Sequence, residues 1–205
     1  MSNDSHFKLD ASGPPGHSLF SNFKAWCLRE ISVDEIQVEL DEEIKHVAQY
    51  DDERLLVLLG ALVVENALDH LLGQFILDYR GLRDNRDFTF SMRIELARAA
   101  RLIPSKVLGA ADTVRQIRND LVHNLSITSL VQLSPSRTDA MRGRLQEFRV
   151  PIEAGEELPQ LYSYLVSATT IALRLYAKHV ETFNSFIRTD EFSSQLQRYA
   201  ETQRQ

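Results

Sequence analysis

Residues 51–76, DDERLLVLLGALVVENALDHLLGQFI, decide the fold class. At about 100° per residue, Leu55, Leu56, Leu58, Leu59, Leu62, Val63 and Val64 fall on nearly every side of a helix. A helix that is apolar all round belongs in a core, so this segment is expected to be the central helix and to run to about residue 79. Asp51 and Asp52 stand just ahead of the apolar run, where acceptor side chains cap helices. One row, spaced by threes and fours, reads Leu58, Leu62, Glu65, Asp69, Leu72 and Ile76. Two carboxylates in an apolar row need partners, because an unpaired buried charge is costly. Glu65 is therefore expected to hold an arginine from another helix, and Arg118 is the candidate by position.

Helical periodicity continues on both sides. Upstream, Leu19, Phe23, Trp26, Cys27 and Ile31 recur at helical spacing, and so do Val33, Ile36, Leu40, Ile44 and Val47, whose opposite face is acidic. Downstream, residues 81–87 read as a charged loop. Residues 88–102 read as a helix capped by Thr89 or Ser91, with Ile94, Leu96, Ala97 and Ala100 inward. Pro104 restarts the chain into a helix whose inward face is Val107, Ala110, Ala111, Val114, Ile117 and Leu121, ending near Asn124. Residues 126–134 are β-branched and mixed, an extended loop or a short strand. Residues 135–148 form a basic helix with Met141, Leu145 and Phe148 inward. After an acidic loop, residues 159–187 form the last long helix on the stripe Leu161, Leu165, Ala168, Ala172, Leu175 and Phe183. The expectation is an all-α protein, an antiparallel bundle of about six helices. Residues 1–17 read as a disordered arm, 18–50 as helices packing on the bundle, 51–190 as the bundle and 191–205 as a fraying tail.

The bulk properties agree. The chain has 205 residues, 43% hydrophobic and 25% charged, with few glycines and prolines, as a helical globular domain requires. Cys27 is the single cysteine, so no intrachain disulfide forms, and a reducing compartment is the simpler expectation. The N-terminus lacks the basic start and apolar core of a signal peptide. The longest apolar run, 55–64, is too short to span a bilayer. A cytoplasmic protein with no membrane partner is expected. No zinc-spaced Cys/His set and no glycine-rich phosphate loop occurs, so no metal or other cofactor is expected.

The net charge is −6, which speaks against a general nucleic-acid binder, yet the charge is unevenly spread. Residues 80–149 hold 13 Lys and Arg against 7 Asp and Glu, and twelve of those cations are arginine, whose planar fork suits phosphate. Within this region, residues 112–124 read DTVRQIRNDLVHN. Asn119 and His123, four apart, share a helix face, with Arg115 one turn earlier on it. Arg118 lies about 140° round from His123 on a regular helix. The two converge only if the arginine curls round, if the helix ends at His123, or if a second copy faces the first. A symmetric homodimer is the attractive solution. The chemistry such a set suits is phosphodiester cleavage without a metal. His123 would move a proton, Arg118 would stabilise phosphoryl charge, and Asn119 would orient either one. Asp120, Arg115, Glu65 and Asp69 are the supporting candidates. The same residues also read as a structural polar cluster.

Residues 90–123, FSMRIELARAARLIPSKVLGAADTVRQIRNDLVH, resemble the mannitol repressor-like and related domains of the HEPN superfamily. RNDLVH matches the pattern R-N-x-x-x-H, the preceding SMRIELARAARLI helix fits, and so does LLGALVVENALDHLL upstream. The resemblance covers residues 51–124, about a third of the chain. It implies an all-α bundle that commonly dimerises. Many superfamily members are metal-independent endoribonucleases of toxin, defence or RNA-processing systems, in which the motif's arginine and histidine are catalytic; here these are Arg118 and His123, with Asn119 beside them. Other members are non-catalytic regulators or interaction modules. The resemblance thus implies RNA as the substrate, or else an antitoxin or regulatory protein as partner. The complete motif favours the nuclease, while the mannitol repressor-like character and the acidic total charge favour the regulator.

Overall fold

In the computed structural model, Asp52 caps the first helix as its position implies. Its carboxylate accepts from the backbone N–H groups of Arg54 at 2.8 Å and Leu55 at 3.0 Å. The structure describes residues 52–186 apart from 102, 125 and 154, together with 188, 193, 194 and 197. The arm and helices expected before residue 52, and most of the expected tail, lie outside the described residues, as does the side chain of Phe183. Among the described residues six α-helices follow in order: α1 (Glu53–Phe75), α2 (Tyr79–Arg83), α3 (Phe90–Ala99), α4 (Ser105–His123), α5 (Pro135–Glu147) and α6 (Leu158–Phe186). There is no strand among the described residues. The protein is all-α, a helical bundle, as the periodicity predicts. Nearly all the described residues fall in one compact unit, Ile31–Ala177, while α6 continues past Ala177 into residues that group with a second unit.

Helix α4 packs on α1, α3 and α5. Its predicted inward face, Val107, Ala110, Ala111, Val114, Ile117 and Leu121, is buried throughout. Small alanines at the middle of that face let neighbouring helices approach closely. Met141, Leu145 and Phe148 of the α5 segment are buried, as are Leu161, Leu165, Ala168 and Ala172 of α6. Contact between α1 and α6 depends on Gly60. A Cβ there would lie 2.9 Å from the Val166 side chain and 3.0 Å from the Tyr162 ring, and the Tyr162 hydroxyl donates to the Val57 carbonyl at 3.0 Å.

Several expectations need correction. The first is the status of α1. Leu56, Val57, Ala61, Val64, Leu68, Leu71 and Leu72 are buried, but Leu55, Leu58 and Leu62 are 42%, 42% and 50% exposed. Among the described residues α1 is therefore a wall of the bundle with one open apolar side, and the helix buried on nearly every side is α6, between Leu161 and Leu173. The expected loop 81–87 begins inside a short helix, α2. The helix expected over 88–102 ends at Ala99, so Ala100 is an exposed cap. Of the two caps proposed for it, Thr89 is the one used. Residues 126–134 contain a single 3-10 turn, Leu130–Gln132, and no strand. α1 is also long and apolar enough to cross a membrane by length and composition, with a mean hydropathy of 1.8, a property that the shorter run 55–64 does not convey; half of that window is buried in the bundle.

Candidate functional site

The polar residues of α4 lie on the side that its buried stripe leaves free, and most bond to one another or to α5. Asp112 holds Arg115 at 2.8 Å and accepts from the Gln116 amide at 2.7 Å. The other end of that amide, its oxygen, accepts from Arg137 of α5, and Arg137 also pairs with Asp120 at 2.7 Å. Arg115, Asp112, Gln116, Arg137 and Asp120 thus form one chain between α4 and α5, two ion pairs joined through the neutral Gln116 amide. Two of the expected supporting residues, Arg115 and Asp120, are absorbed into it.

Arg118 behaves differently. It is half-buried, and its guanidinium donates to the Asn119 side-chain oxygen at 3.0 Å. Among the described residues no carboxylate forms an ion pair with it. His123 is the last residue of α4 and is exposed. Its successor Asn124 leaves the helix with extended backbone and accepts from the N–H and hydroxyl of Ser126 at 3.1 and 2.6 Å, which turns the chain sharply. The turn is fixed from α1: Arg54 donates to the Ile127 carbonyl at 2.9 Å, and Glu53 accepts from the Leu130 N–H. The structure therefore joins Arg118 to Asn119 and sets His123 at the helix end. No hydrogen bond joins Arg118 to His123 within the chain.

Glu65 does hold an arginine from another helix, but that arginine is Arg93 of α3, not Arg118. Arg93 reaches Glu65 at 2.8 Å and Asp69 at 2.7 Å, bridging two carboxylates one turn apart. Its guanidinium carbon lies over the Phe88 ring at 5.0 Å, and Phe88 meets Tyr79 edge-on at 5.8 Å. Tyr79 donates its hydroxyl to Asp69. The geometry explains the preference. Arg93 occupies the inward row of α3 between Phe90 and Ala97 and points at α1, whereas the Arg118 guanidinium turns to Asn119. Burial pushes the Glu65 carboxyl above its ordinary value; Arg93 and then Arg118 pull it down without cancelling that effect, and Asp69 adds to the rise. Arg118 is thus close enough for Glu65 to feel its charge. Burial works to lower the Arg93 value, but the bond and charge of Asp69 and the charge of Glu65 raise it overall. Tyr79 is raised by burial and by its bond to Asp69, so it stays a hydrogen-bond donor.

The sequence reading missed Arg93, Tyr79, Gln116 and Arg137. Arg93 was findable: it sits three after Phe90 and four before Ala97, within an inward row. Nothing local marks Tyr79 or Arg137, whose partners are set by how helices pack. A recess of about 350 Å³ opens beside Tyr79, lined by Asn66, Asp69, His70, Gly73 and Arg83 among others. It contains neither Arg118 nor His123. Among the described residues no group of three or more His, Cys, Asp or Glu side chains is placed to hold a metal ion.

No protein-family model matches the chain, and no curated protein or solved structure matches it significantly.

Proposed function

We propose that this protein is a HEPN-type metal-independent endoribonuclease, of the kind found in toxin and defence systems, acting through Arg118, Asn119 and His123. The observation that carries the reading is the contrast between Arg118 and its neighbours. Arg115 and Arg137 spend their charge on Asp112 and Asp120, while Arg118 is aligned by the neutral amide of Asn119. A cation oriented by an amide keeps its charge for an incoming anion, and a guanidinium fork suits a phosphodiester. His123, exposed at the helix end, supplies an imidazole that can take up or give a proton.

In this reaction the RNA 2′-hydroxyl attacks the adjacent phosphorus and the bond to the 5′-oxygen breaks. The products are a 2′,3′-cyclic phosphate and a free 5′-hydroxyl. His123 takes the hydroxyl proton or returns one to the leaving oxygen, and Arg118 stabilises the charge on the non-bridging oxygens. Arg118 bonds to Asn119 and not to His123, and the site proposed is composite: two copies of α4 face each other in a homodimer, each giving Arg118 to the other's His123.

The test is cleavage of a mixed RNA substrate in excess chelator. Activity should survive chelation and fall at least a hundredfold in both His123→Ala and Arg118→Ala. Mixing the two variants should restore part of the activity, because a mixed dimer holds one intact composite site. Absence of cleavage by the unaltered protein would refute the nuclease. The reading left would then be a mannitol repressor-like regulatory or interaction module, whose α4–α5 ion network is simply structural.

A further inference from the structure

Helix α1 contains two glycines, Gly60 and Gly73, and packing explains only the first. A Cβ at Gly60 would crowd Val166 and Tyr162, whereas one at Gly73 would lie 3.6 Å from the Tyr79 ring, an ordinary contact. Glycine inside a helix is disfavoured relative to alanine, so Gly73 calls for another reason. It is exposed, and it borders two hollows at once. One is the recess of about 350 Å³ beside Tyr79; the other, of about 450 Å³, is lined by Ile76, Leu77 and Arg80. Gly73, Tyr79 and Arg83 line both, so a side chain at position 73 would project into the space they share. The walls of that space are rich in donors. Arg80 makes no ion pair among the described residues. Arg83 meets Asp84 at 3.5 Å in a pair whose side chains are 50% and 64% exposed, a contact that an incoming anion displaces readily. Asn66 and His70 add an amide and an imidazole from α1. The single carboxylate lining either hollow, Asp69, already accepts from Arg93 and the Tyr79 hydroxyl, which mutes its repulsion of an anion. Ile76, the Tyr79 ring and the fully exposed Leu77 supply apolar surface.

We propose that the two hollows form one binding site for a phosphate ester, with the phosphoryl group on Arg80 and Arg83 beside His70 and the organic part over Gly73, Ile76 and Leu77. This is independent of the nuclease reading, whose Arg118 and His123 line neither hollow. Two guanidiniums three residues apart on α2 project to one side of it, which suits a group with several anionic oxygens. Tyr79 fixes their position. Its hydroxyl holds Asp69 of α1 and its ring meets Phe88, so α2 and its arginines are held against α1. A cationic ligand would meet two guanidiniums, and a wholly apolar one would leave both without a partner. A free mononucleotide and a phosphate within an RNA strand offer the same chemistry.

Nuclear magnetic resonance titration of the full chain tests the site, with the Gly73 amide and the Arg80 and Arg83 Nε–H signals as reporters. Adenosine 5′-monophosphate should shift all three saturably. Adenosine and inorganic phosphate, which each lack one part of the ligand, should bind at least tenfold more weakly. Arg80→Gln with Arg83→Gln should weaken nucleotide binding by at least tenfold. Gly73→Leu should do the same without lowering the melting temperature, because leucine restores helix propensity while filling the shared space. Arg118→Ala should leave the titration unchanged. A 2′-O-methyl RNA pentamer without a terminal phosphate separates the two sources. Displacement of the nucleotide by the pentamer assigns the site to a strand, and failure to displace it assigns the site to a mononucleotide; either upholds the site. Absence of a saturable shift at these reporters would overturn the proposal. So would equal binding of adenosine or of inorganic phosphate, binding unmoved by Gly73→Leu, or loss of binding in Arg118→Ala.

Discussion

Replacing Arg93 with alanine should clearly destabilise the described part of the bundle. The side chain is only 12% exposed, and its two partners, Glu65 and Asp69, are 29% and 18% exposed. Without it, two carboxylates one turn apart on α1 face each other with no cation between them, and the Phe88 carbonyl loses a donor. Breaking a buried ion pair by removing one partner typically costs about 3–5 kcal/mol. The lower end applies, because Glu65 retains some contact with water and Tyr79 continues to donate to Asp69. Loss of the contact with the Phe88 ring adds about 0.5 kcal/mol. At about 2–4 °C per kcal/mol for a chain of this size, the melting temperature at pH 7 should fall by roughly 6–14 °C. The deficit should shrink toward pH 5. Glu65 already has a raised folded-state value, so its protonation favours the fold, and removing the arginine raises it further. Calorimetry or far-ultraviolet circular dichroism melts at the two pH values check this. A variant that melts within 2 °C of the unaltered protein at pH 7 would show that the triad does not hold α1 to α3.

Three further outcomes follow from the same geometry. His123→Ala should leave the melting temperature within about 2 °C of the parent, since an exposed surface side chain usually contributes under about 0.5 kcal/mol; a large drop would make His123 a structural residue. Gly60→Ala should destabilise by about 1–2 kcal/mol despite alanine's better helix propensity, because its Cβ would lie 2.9 Å from Val166; a stabilised variant in urea titrations would refute that close approach. Glu65→Gln should remove a falling limb from the pH–stability profile. Glu65 titrates higher folded than unfolded, so its contribution is full below the unfolded value of about 4.5 and is lost as pH rises through the folded one. Denaturant titrations between pH 4 and 7 that showed parallel profiles for parent and variant would count against the raised value.

The inward faces of α4 and α5 were legible because each is a single stripe at helical spacing, and the packed structure buries those same residues; of the α6 stripe it buries Leu161, Leu165, Ala168 and Ala172 but leaves Leu175 half-buried, and it buries Tyr162, Val166 and Ile171 on other sides of the helix as well. α1 misled for a related reason. Leucine on all sides reads as full burial, but periodicity reports only that a face wants cover, and the described residues leave Leu55, Leu58 and Leu62 uncovered. The need of Glu65 for a cation was legible from its apolar row, yet the identity of the partner was not. Choosing between Arg93 and Arg118 depends on the angle at which α3 and α4 cross α1, and no local pattern encodes that angle. The chain of bonds across α4 and α5 was hidden likewise: Asp112 and Asp120 were visible, while Arg137, which links Gln116 to Asp120, lies 17 residues beyond the latter.

The first turn of α1 fixes the bend behind His123 through two bonds, one from Arg54 to Ile127 and one from Leu130 to Glu53. Those contacts are made by residues at a helix terminus, where fraying is ordinarily cheap. Here fraying would also release the backbone at Ile127 and Leu130. Opening of the α1 terminus and loosening of the bend are therefore one cooperative event, and the amides of Leu56, Leu130 and Leu133 should exchange with a common free energy of opening. His123 would then owe its steadiness to a turn of helix about seventy residues earlier in the chain. A substitution as remote as Asp52→Ala, which removes only the cap, would register as motion at the end of α4.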